Sequence, residues 1–328
     1  MLPQTLSDAY GRRFKYLRLS VTDVCNFSCS YCLPDGYQCH DADHVNLNTS
    51  EIKNLLSAFA ALGTEKVRLT GGEPSVRKDL SNIINIAAKT NGIKTVALTT
   101  NGYKLKENIQ QWHDAGLNAL NISMDSLDAR LFKTITGHDR LDKILEGIEI
   151  ALDLGIKVKA NAVLLKGINA HQLPLFLDWV KHRPVSFRFI ELMQTGDNED
   201  YFKAHHLSGD KVRQWLLKQG WTLQPRNETA GPADEYRSEH HQGRIGLITP
   251  YGKDFCSSCN RLRVSSAGNL HLCLFAENGH NLRHLLQQPE QQQQLQNLLQ
   301  SLLTSKEATH YLQQGYTGST YNLSMLGG

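Results

Sequence analysis

The strongest constraint on the fold is a repeated alternation between short apolar runs rich in β-branched residues and longer segments of helical periodicity. This alternation is typical of β-α units built around a parallel sheet. Right-handed crossovers would roll such an array into an incomplete (β/α)6 barrel of the TIM type. A doubly wound open sheet would use the same elements, and periodicity alone does not choose between them. The six predicted strands are 16–21, 66–69, 95–99, 119–124, 157–165 and 185–190.

Helices are predicted between these strands and in the last third of the chain. The segment 49–62 starts at Thr49 and Ser50, which are good helix N-caps. After Glu191 the repeat breaks down, so we expect a partial barrel at residues 1–200 and a second unit, a C-terminal extension, at 201–328. The leucines of 289–303 form one stripe that is expected to pack in the core. The other predicted helices are 79–89, 105–115, 141–154, 170–182 and 209–219, with short strands near 221–224 and 244–249.

Composition limits the class of protein. A chain of 328 residues with 40% apolar content can bury the core of one large α/β domain with an appendage. Lys and Arg number 35 against 32 Asp and Glu, so the net charge does not predict nucleic-acid binding. The N-terminal segment lacks the apolar core of a secretory signal, and no run of 18 apolar residues occurs. We therefore expect a soluble cytoplasmic protein without a membrane partner.

Three cysteines follow the first predicted strand within eight residues, at Cys25, Cys29 and Cys32. In a reducing compartment such a group is expected to bind metal rather than form disulfides. A structural zinc site almost always has four protein ligands, whereas a four-iron cluster held by three cysteines would leave one iron free for a further ligand. Zinc with a distant fourth ligand is the alternative that spacing alone leaves open. Cys39 lies outside the group and is interpreted as a spare thiol.

A second group of three cysteines lies in the predicted extension: Cys256, Cys259 and Cys273. Spacing does not separate an iron–sulfur cluster from a zinc knuckle completed by a histidine such as His271. Arg261 and Arg263 lie between these cysteines and would point the same way if their segment is a strand. Two cations would then stand beside a metal site.

Distinctive polar residues fall at or near the ends of the predicted strands, where parallel barrels build their sites. Arg18, Arg68 and Lys159 would form a costly cluster of cations at one mouth unless an anion completes it. Guanidinium groups match phosphate oxygens in bidentate fashion, so a polyphosphate is the expected ligand. The other polar or conspicuous residues near strand ends are Gly72, Thr99, Thr100, Asn101, Ser123, Asp125, Asn161, Arg188, Glu191 and Met193.

The CxxxCxxC spacing, with an aromatic residue before the last cysteine, resembles the signature of the radical S-adenosylmethionine superfamily. The sequence GGEP at 71–74 is similar to the motif whose backbone holds the methionyl amino group in that superfamily. RFIELM at 188–193, CxxC followed by NRLR and a third cysteine, and the terminal GG resemble one branch of it. That branch cyclises GTP at the start of molybdenum-cofactor synthesis. The resemblance runs from about Arg13 to the last residue.

The resemblance implies two 4Fe–4S clusters, S-adenosylmethionine as a cofactor and GTP as the substrate. It also implies an external electron donor and allows a homodimer, about which the sequence itself says nothing. The open iron of the first cluster would chelate S-adenosylmethionine, and that of the second would bind the guanine base. The cluster ligands would be Cys25, Cys29, Cys32, Cys256, Cys259 and Cys273.

The same resemblance assigns roles to further residues. S-adenosylmethionine would be contacted by Tyr31, Gly72, Ser123 and Met193. GTP would be held by Arg18, Arg68, Thr99, Lys159, Arg261, Leu262 and Arg263. Catalysis would depend on Arg261, Arg263 and the terminal Gly327 and Gly328, which would reach back into the active site.

Two alternatives stay open, one within enzymes and one from another functional class. A radical enzyme acting on a peptide would carry more auxiliary cysteines than three, and the arginine pair favours phosphate. A zinc-dependent RNA- or DNA-binding module would interleave aromatic and basic residues, which the segment RLRVSSAGNLHLC hardly does.

Overall fold

A computed structural model describes residues 5–38, 44–225, 231–318, 324 and 326. Within these residues, twelve strands form one sheet, and its six central strands, β1 to β6, are parallel and follow chain order. Sequential order is that of a barrel, whereas a doubly wound sheet reverses its strand order at a switch point. The partial barrel is therefore confirmed. Its strands are β1 (Tyr16–Thr22), β2 (Lys66–Gly71), β3 (Thr95–Thr100), β4 (Ala119–Ser123), β5 (Lys157–Leu164) and β6 (Ser186–Glu191).

Strands from the predicted extension lengthen this sheet at both edges. β9 (Arg244–Ile248) pairs in parallel with β6, and β10 (Arg261–Val264) pairs in parallel with β1. This part of the chain continues the sheet and does not form a sheet of its own, because both edges of the six-stranded array present unpaired backbone groups. The division at residue 200 stays a prediction. The remaining strands are β7 (Thr222–Leu223), β8 (Asp234–Arg237), β11 (Asn269–His271) and β12 (His280–Asn281).

The helices lie close to the predicted bounds, with one corrected start. Asn48, not Thr49 or Ser50, caps the first helix: its side chain accepts from the amides of Ser50 and Glu51, each at 2.9 Å. The Glu51 carboxylate in turn accepts from the Asn48 amide at 2.8 Å, which completes a capping box. The helices are α1 (Thr49–Ala61), α2 (Leu80–Lys89), α3 (Leu105–Asp114), α4 (Ala129–Thr136), α5 (Leu141–Asp153), α6 (Leu173–Lys181), α7 (Glu199–His205), α8 (Gly209–Lys218) and α9 (Gln292–Leu303).

Two helices were not predicted, and two predicted ones start later. α4 and α7 are short, and sequence periodicity is weakest over so few residues. The predicted helices 170–182 and 289–303 each begin with a 3₁₀ turn before α6 and α9. The leucine stripe of α9 packs in the core as expected, with Leu295 and Leu299 fully buried. In the described ranges, no helix has both the length and the apolarity needed to cross a membrane.

Candidate active site

The first cysteine trio lines a cavity at the carboxyl ends of β1 to β5, here called the first cavity. Its loop is anchored to the end of α4, since the amide of Ser28 donates to Thr136 at 3.2 Å and that of Ser30 to Ile135 at 2.9 Å. Asn101 after β3 also donates to the side chain of Asn26 at 2.9 Å. The loop is thus fixed from two sides. The residues expected to contact S-adenosylmethionine all line this cavity: Tyr31, Gly72, Ser123 and Met193.

The GGEP turn packs directly against the cysteine loop. Gly71 has a φ of 140°, and a Cβ there would lie 2.0 Å from the carbonyl oxygen of Thr22. At Gly72 a Cβ would lie 2.4 Å from the carbonyl oxygen of Val24. Only glycine allows this approach, through which the amides of Gly72 and Glu73 donate to Thr22 and Val24 at 3.0 and 2.8 Å.

Glu73 of this turn is fully buried and joins β2 to β3. Its carboxylate accepts hydrogen bonds from the Ser75 amide at 2.9 Å, the Thr100 hydroxyl at 2.7 Å and the Asn101 amide at 2.7 Å. Burial raises the pKa of Glu73, while these three donors act in the opposite direction. The carboxylate therefore fixes the turn and is already fully engaged within the protein.

Tyr31 is held by a buried acid that follows β4. Its hydroxyl donates to Asp125 at 2.8 Å, and the other carboxylate oxygen of Asp125 accepts from the Val163 amide at 2.8 Å. Burial raises the pKa of Asp125 to about 6. The pKa of the Cys25 thiol is raised to about 11 by burial, and that of Cys29 is raised by burial and then by the charge of Asp125. The first trio thus lies in an acidic, largely buried environment.

A second cavity, of about 1100 Å³ including its opening to solvent, lies along the inner faces of β1, β2, β5, β6 and β10. No Asp or Glu is among its described lining residues. Parallel register places Arg18 directly between Arg68 on β2 and Arg263 on β10. Its seven cationic lining residues are Arg18, Lys66, Arg68, Lys159, Arg188, Arg261 and Arg263.

Four of these cations, Arg18, Arg68, Arg188 and Arg263, are buried, and the other three are half-buried. Burial, and then the charge of Arg188, lowers the pKa of Lys159 to about 7. Burial also lowers the pKa of Arg188 to about 10, with a further contribution from Arg68. Within the described part of the chain, the buried Nε atoms of Arg68 and Arg188 have no hydrogen-bond partner. Glu235 pairs with Lys159 at 3.7 Å, but buried donors without partners among so many cations still indicate an anionic ligand.

The second cysteine trio, Cys256, Cys259 and Cys273, lines this second cavity. Although burial opposes ionisation, Arg261 and Lys306 lower the pKa of the Cys259 thiol to about 7. Arg12 donates to the carbonyl oxygen of Cys256 at 3.1 Å, and Lys306 donates to that of Leu272. In contrast to the first trio, the second lies among cations.

The two cavities adjoin. Thr99, Asn161, Ile190 and Met193 line both of them, so these residues stand at the junction. Within the described residues, the buried Thr99 Oγ1 and Asn161 Oδ1 have no hydrogen-bond partner. Two ligands, one in each cavity, would therefore meet beside Thr99 and Asn161, whose side-chain oxygens could hydrogen-bond to them.

Some predicted site residues are placed differently from the expectation. The Leu262 side chain packs in the hydrophobic core and does not line the second cavity, because strand alternation turns it away from Arg261 and Arg263. Gly327, Gly328 and Cys39 lie outside the described residues. The described part of the tail reaches the site, since Ser324 lines the first cavity and Arg263 donates to the carbonyl oxygen of Leu326 at 2.9 Å.

Sequence reasoning missed several lining residues of the second cavity, among them two on the barrel strands. Tyr16 and Lys66 both line this cavity, and each lies two positions before an arginine of the predicted site, Arg18 or Arg68. The alternation of side chains along a strand was the available signal. The Tyr16 ring lies 4.8 Å from the Lys66 ammonium and 5.4 Å from the Arg68 guanidinium, which are cation–π distances.

The donor chemistry of both trios suits iron–sulfur clusters, because soft thiolates are the ligands of such clusters and each thiolate binds a different iron. Among the residues that the structure describes, no three His, Cys, Asp or Glu side chains are placed to hold one single ion. His271 is absent from the described lining of the second cavity.

Comparison with known proteins identifies the family. The Radical SAM superfamily model matches residues 19–180, and the Molybdenum Cofactor Synthesis C model matches residues 185–312. A protein of Shewanella denitrificans named GTP 3′,8-cyclase is 56% identical over 324 residues, which cover 98% of this chain and 96% of that protein. The chain belongs to the GTP 3′,8-cyclase family. The GTP 3′,8-cyclase of Yersinia pestis is 54% identical over 98% of this chain and 99% of that protein.

Membership in the GTP 3′,8-cyclase family confirms the superfamily resemblance that the cysteine spacing and the GGEP turn indicated. Among solved structures, Streptococcus suis SuiB bound to S-adenosylmethionine is similar, with a TM-score of 0.62 and 14% identity. The likeness covers 89% of this chain and 68% of that one. At this identity it supports the partial-barrel fold alone.

Proposed function

We propose that this chain is a radical S-adenosylmethionine enzyme that cyclises GTP to (8S)-3′,8-cyclo-7,8-dihydroguanosine 5′-triphosphate, the first step of molybdenum-cofactor biosynthesis. The observation that carries the proposal is the junction of two cavities, each lined by three thiols and only one of them lined by seven cations. The names of the relatives indicate GTP as the substrate, and the cation-lined cavity suits its triphosphate.

In the first cavity, Cys25, Cys29 and Cys32 would hold one 4Fe–4S cluster. With cluster and S-adenosylmethionine bound, this cavity supplies a 5′-deoxyadenosyl radical. The chain's own contribution is positioning: Gly72 offers backbone without a side chain, Tyr31 is fixed by Asp125, and Ser123 and Met193 complete the contacts to the cofactor. Reacting atoms held in near-attack geometry gain most of their rate from such positioning.

In the second cavity, Cys256, Cys259 and Cys273 would hold a second 4Fe–4S cluster that leaves one iron for the guanine base. The triphosphate would lie along the row formed by Arg263, Arg18 and Arg68, which adjacent strands place side by side. A polyphosphate would supply the negative charge that this cavity lacks and would raise the lowered pKa of Lys159. Thr99 at the junction would then face the ribose, between the two cavities.

Arg261, Arg263 and the terminal Gly327 and Gly328 are proposed to act in the cyclisation itself. The contact that supports a role for the tail is the hydrogen bond from Arg263 to the Leu326 carbonyl, which places Leu326 beside the second cavity. A tail in this place would keep water away from the reacting ribose. An external carrier would supply the electron, and we place the enzyme in the cytoplasm, where thiolates stay reduced. A homodimer remains a prediction for mass measurement.

The test is anaerobic reconstitution, reduction, and incubation with GTP and S-adenosylmethionine. We expect 5′-deoxyadenosine and a cyclised nucleotide in equal amounts, and about eight irons per chain with no stoichiometric zinc, as two four-iron clusters require. Cys256→Ser is the control, since it should lose the second cluster and cyclisation together. Zinc in both trios would refute the proposal, and a radical attack on peptides but not on GTP would favour the peptide-modifying class.

A further inference from the structure

A basic surface cleft lies outside both cavities, between α2 and α3 and beside the start of α5. Lys78 and Lys104 on its rim are exposed, and Arg140 is half-buried. Arg77 also lines the cleft, but Asp79 binds it with contacts of 2.6 and 2.8 Å. Its full set of charged lining residues is Arg77, Lys78, Lys104, Arg140 and Glu107.

Lys78 and Lys104 keep their charge available, whereas Arg140 also interacts with the charge of Glu107 in the same cleft. Within the described residues, no carboxylate lies within ion-pair distance of Lys78, Lys104 or Arg140. Lys104 donates to the Ser75 carbonyl oxygen at 3.1 Å. The Arg140 guanidinium lies over the Tyr103 ring, 4.3 Å from its centroid, which orients it without neutralising it. A cleft with more cations than carboxylates attracts acidic protein surfaces.

The cleft is also connected to the first cysteine trio by aromatic packing. Tyr103 lines the cleft and meets the edge of Phe27, with ring centroids 6.1 Å apart. Phe27 lies between Cys25 and Cys29 in the cysteine loop and lines the first cavity. His138 stacks on Phe27 at 4.6 Å and also meets the edge of Tyr103, with ring centroids 5.7 Å apart, so the three rings pack together. Two packed rings therefore span the distance from the cleft to the first metal site.

We propose that this cleft docks an acidic one-electron carrier protein that reduces the first cysteine site. The inference rests on the proposed function, because only a cluster there would accept the electron. The carrier loses one electron and the cluster gains it, with no atom transferred. The surface cations orient the carrier, and Tyr103 and Phe27 bring its redox group close to the cysteine loop without passing through either substrate cavity.

The test compares two double variants of the reconstituted enzyme. Lys78→Glu with Lys104→Glu reverses two charges at the cleft. Lys211→Glu with Lys218→Glu makes the same change on exposed positions of α8, which packs near β9, beyond β6 in the strand order. Reduced flavodoxin serves as the acidic carrier, and reduced methyl viologen as a small cation that needs no docking surface. The readout is the rate of bleaching of the cluster absorbance at low ionic strength.

With flavodoxin, the cleft variant should be reduced about tenfold more slowly than the wild type and the α8 variant. This difference should vanish near 1 M salt, where charges are screened. With methyl viologen, all three proteins should be reduced at comparable rates. Calorimetric binding of oxidised flavodoxin to the metal-free chain should weaken in the cleft variant alone.

Equal flavodoxin rates in the two variants would overturn the proposal, and so would slower reduction of the cleft variant by both reductants. Loss of oligonucleotide binding with an unchanged flavodoxin rate would instead assign the cleft to nucleic acid. A reconstituted wild-type protein that holds zinc in place of iron in the first cysteine trio would refute the proposed function itself, together with this inference.

Discussion

The guanidinium of Arg12 donates a hydrogen bond to the carbonyl oxygen of Cys256 at 3.1 Å, which ties the start of the chain to the second cysteine trio. The same side chain donates to the carbonyl oxygens of Glu307 and Ala308 and pairs with the buried Asp8. A single residue near the start of the described chain thus holds two segments that lie beside the second cysteine trio.

Arg12→Met should therefore unfold more easily and lose the second cluster first. Removing one partner of a buried ion pair leaves Asp8 uncompensated and costs about 3 kcal/mol or more of unfolding free energy. Denaturant titration measures the loss, and iron analysis should give about half of the wild-type content. Combining Arg12→Met with Asp8→Asn should recover part of the stability, and a fully stable Arg12→Met variant would contradict this account.

Lys306→Met should lower the reduction potential of the second cluster. Lys306 is a buried cation close to Cys259, and cluster potentials fall when nearby positive charge is removed. Potentiometric titration followed by electron paramagnetic resonance separates the two clusters. The first cluster is the internal control, and equal shifts of both potentials would argue against a local effect of Lys306.

Arg261→Ala and Arg263→Ala should each weaken GTP binding about tenfold to a hundredfold, because each removes charge-assisted hydrogen bonds. Reductive cleavage of S-adenosylmethionine should stay largely intact, since the first cavity is untouched. Leu262→Met is the matched control, as its side chain lies in the core between the two arginines. Equal loss of GTP binding and of S-adenosylmethionine cleavage would show that Arg261 and Arg263 do not act on GTP alone.

GTP affinity should decrease as the pH rises above about 7. The pKa of Lys159 is lowered to about 7 in the free protein, and bound phosphate would raise it. Above pH 7 the free protein loses the Lys159 proton, so GTP binding must take up a proton and becomes weaker as the pH rises. Lys159→Arg keeps a charge across this range and should flatten the profile measured by equilibrium binding.

Tyr16 provides a check on this pH dependence. Against the effect of burial, the charges of Arg68, Arg18 and nearby cations lower its pKa to about 8, so its ionisation would add negative charge to the cavity. Tyr16→Phe keeps the ring over Lys66 and should affect only the part of the profile above pH 8. An unchanged profile in both Lys159→Arg and Tyr16→Phe would exclude these groups as its cause.

Deleting Gly327 and Gly328 should leave both clusters and S-adenosylmethionine cleavage intact while abolishing cyclisation. Absorbance, iron content and 5′-deoxyadenosine formation are the controls within the same sample. Full production of the cyclised nucleotide by the shortened chain would remove the tail from the mechanism.

Sequence reasoning located the central strands well, because buried parallel strands are continuous β-branched runs whose ends are marked by polar residues. It could not show that β10 pairs with β1, since no local signal encodes a contact between such distant segments. For the same reason the three donors to Glu73 and the contacts of Arg12 were invisible. Strand alternation did predict the shared direction of Arg261 and Arg263, and applied consistently it would also have found Tyr16 and Lys66.

The parallel pairing of β10 with β1 also bears on how the protein matures. Arg18 and Arg263 become neighbours only after the ribosome has made most of the chain, whereas the first cysteine loop and the β2 turn against it are synthesised early. Contacts of such long sequence separation form late and slowly. Nascent chains should thus be able to organise a cluster-binding loop well before any pocket for the nucleotide exists.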